Sequence, residues 1–375
     1  AAVLPIHYPR ALLRAFDILP VEVWGPPNVD ATQGAAHLQP YICSIVRNAL
    51  AFLMSGGLDA TDCVIVPHTC DSLQGFASIL IDFIMPSVIA SEAKQSPKSD
   101  LEIASSQPFD SASLRSGVLL AMTKPVLPIY LPRDQRASDA DFLANEFRAL
   151  YRRLAEITNR APSDADLLAQ IARDEDADAL LADLHARRAD LPLTQIEFYR
   201  VIRAREFLPT EDFSALARDV LARASESPQR ADIPIILSGI VPEPMSIFDS
   251  ISQMGGTVVA DDLAGCGRRL YPRGTHSDPF ARMAERIINA PPDSTRGNSI
   301  QARLDHLTRL TRESGAHGIV FYDVKFCETE LFYLPALRKM LQDQGVPSVA
   351  IEFDLNDAFS QQTATRLEAF IEMLG

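Results

Sequence analysis

The chain has 375 residues, with 35 Lys plus Arg against 49 Asp plus Glu, a formal net charge of −14. So acidic a surface lacks the cations that a nucleic-acid backbone or an anionic membrane face requires, which excludes both as partners. Hydrophobic residues at 47% and charged residues at 22% describe an ordinary globular chain, long enough for two or three packing units.

The opening AAVLPIHYPRALL lacks the basic-then-apolar layout of a signal peptide, and no apolar run reaches the roughly 18 residues of a membrane span. PVEVWG (20–25) reads as a short buried strand, followed by the loop GPPNVDATQG. LQPYICSIVRNALAFLMSGGL fits a helix with Cys43 in its first turn and the pair Gly56-Gly57 at its end. DCVIVPH (62–68) is a β-branched apolar run, hence a buried parallel strand. TCDSLQGFASILIDFI returns as a helix and KPVLPIYLPRD (124–134) as a strand. This alternation is the α/β pattern and sets a first unit at 1–136. Segment 87–116 interrupts it with nine serines and no sustained period, and reads as an inserted, mobile surface excursion.

The second unit, 137–228, is helical. DADFLANEFRALYRRLAEITN, SDADLLAQIARD, LTQIEFYRVIRAREF and TEDFSALARDVLARAS carry apolar residues at helical spacing, and Ser163-Asp164-Ala165-Asp166 supplies N-cap chemistry. Their mixed charges lie opposite the apolar stripes and read as solvated faces. The third unit, 229–375, is α/β again, with strands at IPIILSGIV, TVVADDL, HGIVFYDV and VPSVAIEFD. The helices among them contain PMSIFDSISQMG, HLTRLTRES, LFYLPALRKMLQDQG and TATRLEAFIEML. The expected fold class is therefore α/β: two parallel-sheet domains of flavodoxin or Rossmann type with a helical insert between them.

Five cysteines, an odd number without an export signal, read as reduced thiols or ligands in the cytoplasm. Cys70, in VIVPHTCDS, and Cys327, in VFYDVKFCE, each lie just past the carboxyl end of a strand, where open α/β sheets bind ligands. Cys43 lies at a helix start, where free N–H groups and the dipole favour thiolate. Three thiolates converging on an interdomain cleft make a metal or cluster site candidate. Cys63 opens an apolar strand and reads as a small core hydrophobe. Cys266, in the Gly-rich DLAGCGRR, is either an occasional ligand or a loop thiol. No C-x-x-C pair supplies a local zinc or ferredoxin signature. Three thiolates with His68 would make a structural Cys₃His zinc site; three alone also suit a 4Fe–4S cluster with one iron left open.

Other candidates surround these. Arg47, one turn after Cys43, is a candidate for holding a thioester or carboxylate, against the plainer role of an ion-pair partner. His68 is a candidate proton shuttle, ranked below a structural hydrogen bond. Trp24 and Gly25 close the first strand and face the cleft by the carboxyl-end argument, which makes them substrate-binding candidates. Asp261-Asp262 also end a strand and alternatively cap the following loop. G-x-G-x-x-G is absent, which argues against a nicotinamide enzyme.

Seven stretches together, AFDILPVEVWG, LQPYICSIVRNAL, VIVPHTCDSLQ, ILSGIVPEP, GGTVVADDLAGCGRR, HGIVFYDVKFCE and TATRLEAFIEML, resemble the 2-hydroxyacyl-CoA dehydratase and benzoyl-CoA reductase family, in the manner of the 2-hydroxyglutaryl-CoA dehydratase D-component. They run in the family's order over both α/β units; the serine-rich segment is a departure. The resemblance implies a 4Fe–4S cluster on Cys43, Cys70 and Cys327, a homologous second subunit, an acyl-CoA thioester substrate and an ATP-dependent iron–sulfur activator protein. It implies a ketyl radical elimination of water after one-electron reduction of the thioester. Alternatives are a benzoyl-CoA-reductase-type subunit, a non-catalytic cluster-bearing partner, or a zinc-stapled binding protein. A double-cubane protein of the same superfamily asks for more thiolates than five cysteines supply.

Overall fold

The computed structural model describes residues 1–26, 29–35, 37–84, 124–133, 136–225, 232–357 and 359–375, so the serine-rich segment 87–116 lies outside the described residues. The first sheet contains β1 (Ala2–Val3), β2 (Val21–Glu22), β3 (Val64–His68) and β4 (Val126–Tyr130). The second contains β5 (Ile233–Gly239), β6 (Gly256–Leu263), β7 (Gly318–Val324) and β8 (Ser348–Phe353). Both are wholly parallel, in the orders β2-β1-β3-β4 and β6-β5-β7-β8. The two windings are therefore the same: second, first, third, fourth. This is the flavodoxin-like order, whose switch point lies between the first and third strands. The expected α/β class with two parallel sheets is what the chain adopts.

Among the helices beside the first sheet are α1 (Arg10–Ala15), α2 (Ser44–Met54) and α3 (Asp71–Ile79). The middle of the chain forms α4 (Asp139–Thr158), α5 (Asp164–Ala186), α6 (Gln195–Ala204) and α7 (Thr210–Ala222). Around the second sheet are α8 (Ser246–Gln253), α9 (Pro279–Ile288), α10 (Ile300–Ser314), α11 (Glu328–Leu331), α12 (Leu334–Asp343) and α13 (Gln361–Leu374). Ser163 caps α5 through a reciprocal box with Asp166, as the sequence predicts, and Thr194 does the same for α6 with Glu197. Among the described residues no helix is long and apolar enough to cross a membrane.

One apolar core joins the two sheets. It takes Val64 and Val66 of β3, Leu50 of α2 and Phe76 of α3, then continues through Phe198 and Phe213 to Leu237, Val320 and Ile351 of the second sheet. The other face of the first sheet packs Val3, Ile65 and Leu127 against Phe147 and Phe280.

The helical charges do not all lie on solvated faces. Asp174, Asp178, Arg203, Arg205 and Glu206 are buried, and so is Glu175. Arg205 pairs with Asp174 and Asp178, Arg286 of α9 with Asp178 at 2.5 Å, and Arg282 with Glu175 at 2.5 Å. These helices are covered by neighbours that bring complementary charge, which the pattern of a single helix does not reveal. A second buried network fixes α11. Arg268, fully buried, donates to Glu330 at 2.6 and 3.1 Å and to Asp262 at 3.2 Å, while Arg303 donates to Asp262 at 2.6 and 2.7 Å.

Asp323 of β7 lies beside this network, fully buried, and among the described residues neither of its carboxylate oxygens is hydrogen-bonded. Burial, reinforced by the charge of Glu330, holds its pKa well above the usual carboxylate range. The unfolded carboxyl ionises above about pH 4, so this group lowers stability as pH rises from there toward its folded pKa. Asp323→Leu, which removes both the unpaired oxygens and the titration, should raise stability at pH 7 by about 1–3 kcal/mol. The gap in urea denaturation should widen from pH 5 to pH 7.

Candidate functional site

The three cysteines singled out by the sequence stand at equivalent places: each is the N-cap of a helix. Cys43 precedes α2 rather than lying inside its first turn, with extended backbone at φ −60 and ψ 150. Cys70 precedes α3 two residues past β3, and Cys327 precedes α11 three residues past β7. β3 and β7 are the third strands of their sheets, so the shared winding delivers Cys70 and Cys327 from the same topological position. Each sulfur occupies the position where a Ser, Thr or Asp oxygen usually accepts the helix's orphan amides. The amides of Ile45 and Val46 pull the Cys43 pKa down, and those of Ser72 and Leu73 that of Cys70, although neither sulfur closes a capping hydrogen bond. Cys327 Sγ lies 3.5 Å from the Thr329 hydroxyl.

The three thiols also feel one another. Burial pushes the Cys70 thiol up to about 12, and the neighbouring Cys43 adds to it. Burial holds Cys327 well above the ordinary thiol value, followed by the charges of Cys43, Glu330 and Cys70. Cys43 is raised by burial as well, against the pull of the Val46 and Ile45 amides. Cys43 is buried, and Cys70 and Cys327 are half-buried. Among the described residues no three His, Cys, Asp or Glu side chains close round a point as they would round a single ion.

The other two cysteines stand elsewhere. Cys63 is buried in the core of the opposite sheet face, with Asp62 as a charged neighbour. Cys266 is fully buried, beside Asp261, Arg203, Glu206 and Glu243.

Arg47 forms an ion pair with Asp354, in the loop after β8. It belongs to a polar seam that sequence reasoning missed. Ser44 Oγ accepts from the Leu355 amide at 3.1 Å. Asn48 and Asn356 exchange side-chain hydrogen bonds at 2.9 and 3.0 Å. Positions 44, 47 and 48 share one helix face, so the signal was a polar i, i+3, i+4 set among apolar neighbours. This seam ties the start of α2, and hence Cys43, to the second sheet.

Trp24 is buried, its indole N–H donating to Glu22 at 3.0 Å. Gly25 has φ +70, and a Cβ there would lie 2.4 Å from the Ile45 carbonyl. Only glycine lets the chain press this closely on the first turn of α2. Asp261 accepts from the Gly267 amide at 2.8 Å, capping the loop that holds Cys266, and Asp262 belongs to the arginine network. Among the described residues His68 does not find the structural hydrogen bond expected of it: it is buried, yet neither ring nitrogen has a partner there. Its ring meets Tyr130 edge-on at 4.6 Å, and burial with the nearby Arg133 charge lowers its pKa.

With Cys70 so weakly acidic, iodoacetamide should alkylate it in the metal-free chain at pH 8 roughly a thousandfold more slowly than a free cysteine, as read by mass spectrometry.

A family model for the 2-hydroxyglutaryl-CoA dehydratase D-component matches residues 5–374. Lactoyl-CoA dehydratase subunit beta of Anaerotignum propionicum is 24% identical over 99% of this chain and 91% of its own length. (R)-2-hydroxyglutaryl-CoA dehydratase subunit beta of Acidaminococcus fermentans is 23% identical over 99% and 91%. A benzoyl-CoA reductase subunit of Thauera aromatica is 21% identical over 100% and 90%. The match runs through all three N-cap cysteines and nearly end to end, and the chain belongs to the 2-hydroxyglutaryl-CoA dehydratase D-component family.

Proposed function

We propose that this chain is the iron–sulfur subunit of a 2-hydroxyacyl-CoA dehydratase-type enzyme of the cytoplasm, holding a 4Fe–4S cluster through Cys43, Cys70 and Cys327. The observation that carries this reading is the gathering of three thiols, each at a helix start, close enough that Cys43 raises the pKa of Cys70 and both raise that of Cys327. Soft thiolate donors select iron–sulfur groups. A bound cluster supplies one-electron chemistry at low potential and an iron able to act as a Lewis acid.

The protein's own part is to present and shield that group. The Ile45, Val46, Ser72 and Leu73 amides stabilise sulfur as thiolate. Ser44, Arg47 and Asn48 fix Cys43 against the second sheet, and Arg268 fixes the helix that Cys327 begins. The substrate on this reading is an acyl-CoA thioester that loses water. The partners are a homologous second subunit, supported by the relatives' names as subunits, and an ATP-dependent iron–sulfur activator. The likeness to a benzoyl-CoA reductase subunit supports a second reading, reduction of an aromatic acyl-CoA on the same frame. Product analysis with each class of CoA ester separates the two.

Full-length chain reconstituted without oxygen should carry about four irons and four sulfides. Cys43→Ser, Cys70→Ser and Cys327→Ser should each lose most of the iron, while Cys63→Ser keeps it. Iron retained by Cys43→Ser and lost by Cys63→Ser would overturn the ligand assignment.

A further inference from the structure

We propose that His68 is the hydrogen-bond donor of the site, presenting an imidazole N–H to the sulfur atoms of the group held by Cys43, Cys70 and Cys327. The inference rests on the cluster reading above and adds a residue to it. Side chains alternate along a strand, so His68 shares a face of β3 with Val64 and Val66. Those two valines pack in the core that contains Cys43, whereas Ile65 packs on the opposite face. His68 is the last residue on the cysteine side of β3, and the chain reaches Cys70 two residues later.

The imidazole is covered but unsatisfied. It is 9% exposed, and among the described residues neither nitrogen has a hydrogen-bond partner. Tyr130, its register partner on β4, covers it with a ring contact at 4.6 Å. The charged side chain felt by both His68 and Cys70 is Arg133, a cation, which donates and cannot accept. A buried polar group left unpaired is penalised, and native structures rarely tolerate one without a ligand, ion or water to meet it. A neutral imidazole must donate from one nitrogen, so the missing component is an acceptor. Thiolate and sulfide sulfurs carrying negative charge are acceptors of that kind. Hydrogen bonds to cluster sulfur stabilise the more negative, reduced state and raise the potential. His68 is thus a positioning and tuning residue, not a fourth ligand.

The test uses the full-length chain, prepared without oxygen, with and without reconstitution by iron and sulfide. In the iron-free form, His68→Leu should melt no lower than wild type, because it removes an unsatisfied group. In the reconstituted form, the same variant should yield iron to a chelator about 10–100-fold more readily. Its EPR-monitored midpoint potential should move to a more negative value. His68→Gln, which keeps an N–H donor, should restore most of both. If His68→Leu matches wild type in iron retention and potential, or lowers the melting temperature equally in both forms, His68 has a purely structural role and the inference is wrong. Strong nitrogen coupling in the EPR spectrum would make it an iron ligand and overturn the donor role. A wild-type chain that takes up no iron overturns the cluster reading itself, an outcome distinct from these.

Discussion

A helix that begins at the carboxyl edge of a parallel sheet leaves its first amide N–H groups without partners, and some acceptor must meet them. In this chain the residue at three separate helix starts is a cysteine, whose sulfur as a thiol closes no capping hydrogen bond. A neutral thiol is a weak acceptor, and losing a good N-cap costs about 1 kcal/mol per helix. A thiolate is far better, since a charged acceptor roughly doubles the strength of the bond. The local backbone therefore favours the ionised sulfur, while burial opposes it, and the raised pKa values record that burial wins in the metal-free chain. On the cluster reading, a cation among the sulfurs would reverse this balance.

The convergence depends on ties between the two halves of the chain, because Cys43 and Cys70 come from the first sheet and Cys327 from the second. The apolar core runs through both sheets but is non-directional. Direction comes from the polar seam of Ser44, Arg47 and Asn48 against residues 354–356. Under α11, Arg268 grips Glu330 with two parallel hydrogen bonds, three residues past Cys327. Such buried charges are a poor source of net stability compared with apolar packing, but removing one partner is strongly destabilising. They hold one arrangement, which is what a site assembled from three distant segments needs.

Much of this was legible in the residues. The β-branched runs at 62–68 and 317–324 announce parallel strands, and Cys70 and Cys327 follow them directly. β1 escapes a sequence reading because it is two residues long and becomes a strand only by pairing with β2 and β3. α9 is passed over by periodicity, although Asp278-Pro279 is a helix-start signal: Asp278 accepts from the Ala281 amide at 2.8 Å. The buried charges of α5 are misread as surface because partners such as Arg282 and Arg286 lie over a hundred residues away. Local pattern reports a side chain's own polarity; it does not report which distant chain comes to cover it.

On the cluster reading, protons and metal would compete for the same three sulfurs, and burial sets the terms of that competition. Each thiol must lose its proton before it can ligate, and each is held protonated by burial. The neighbours that raise Cys327 include the other two sulfurs, so without metal each deprotonation makes the next harder. On the cluster reading, a multiply charged iron–sulfur core held by the three cysteines would offset that repulsion for all of them at once. Filling is therefore cooperative on the cluster reading: a site with two thiolates and a third thiol still protonated holds iron poorly. This is why the loss of any one cysteine should strip the site rather than weaken it by a third.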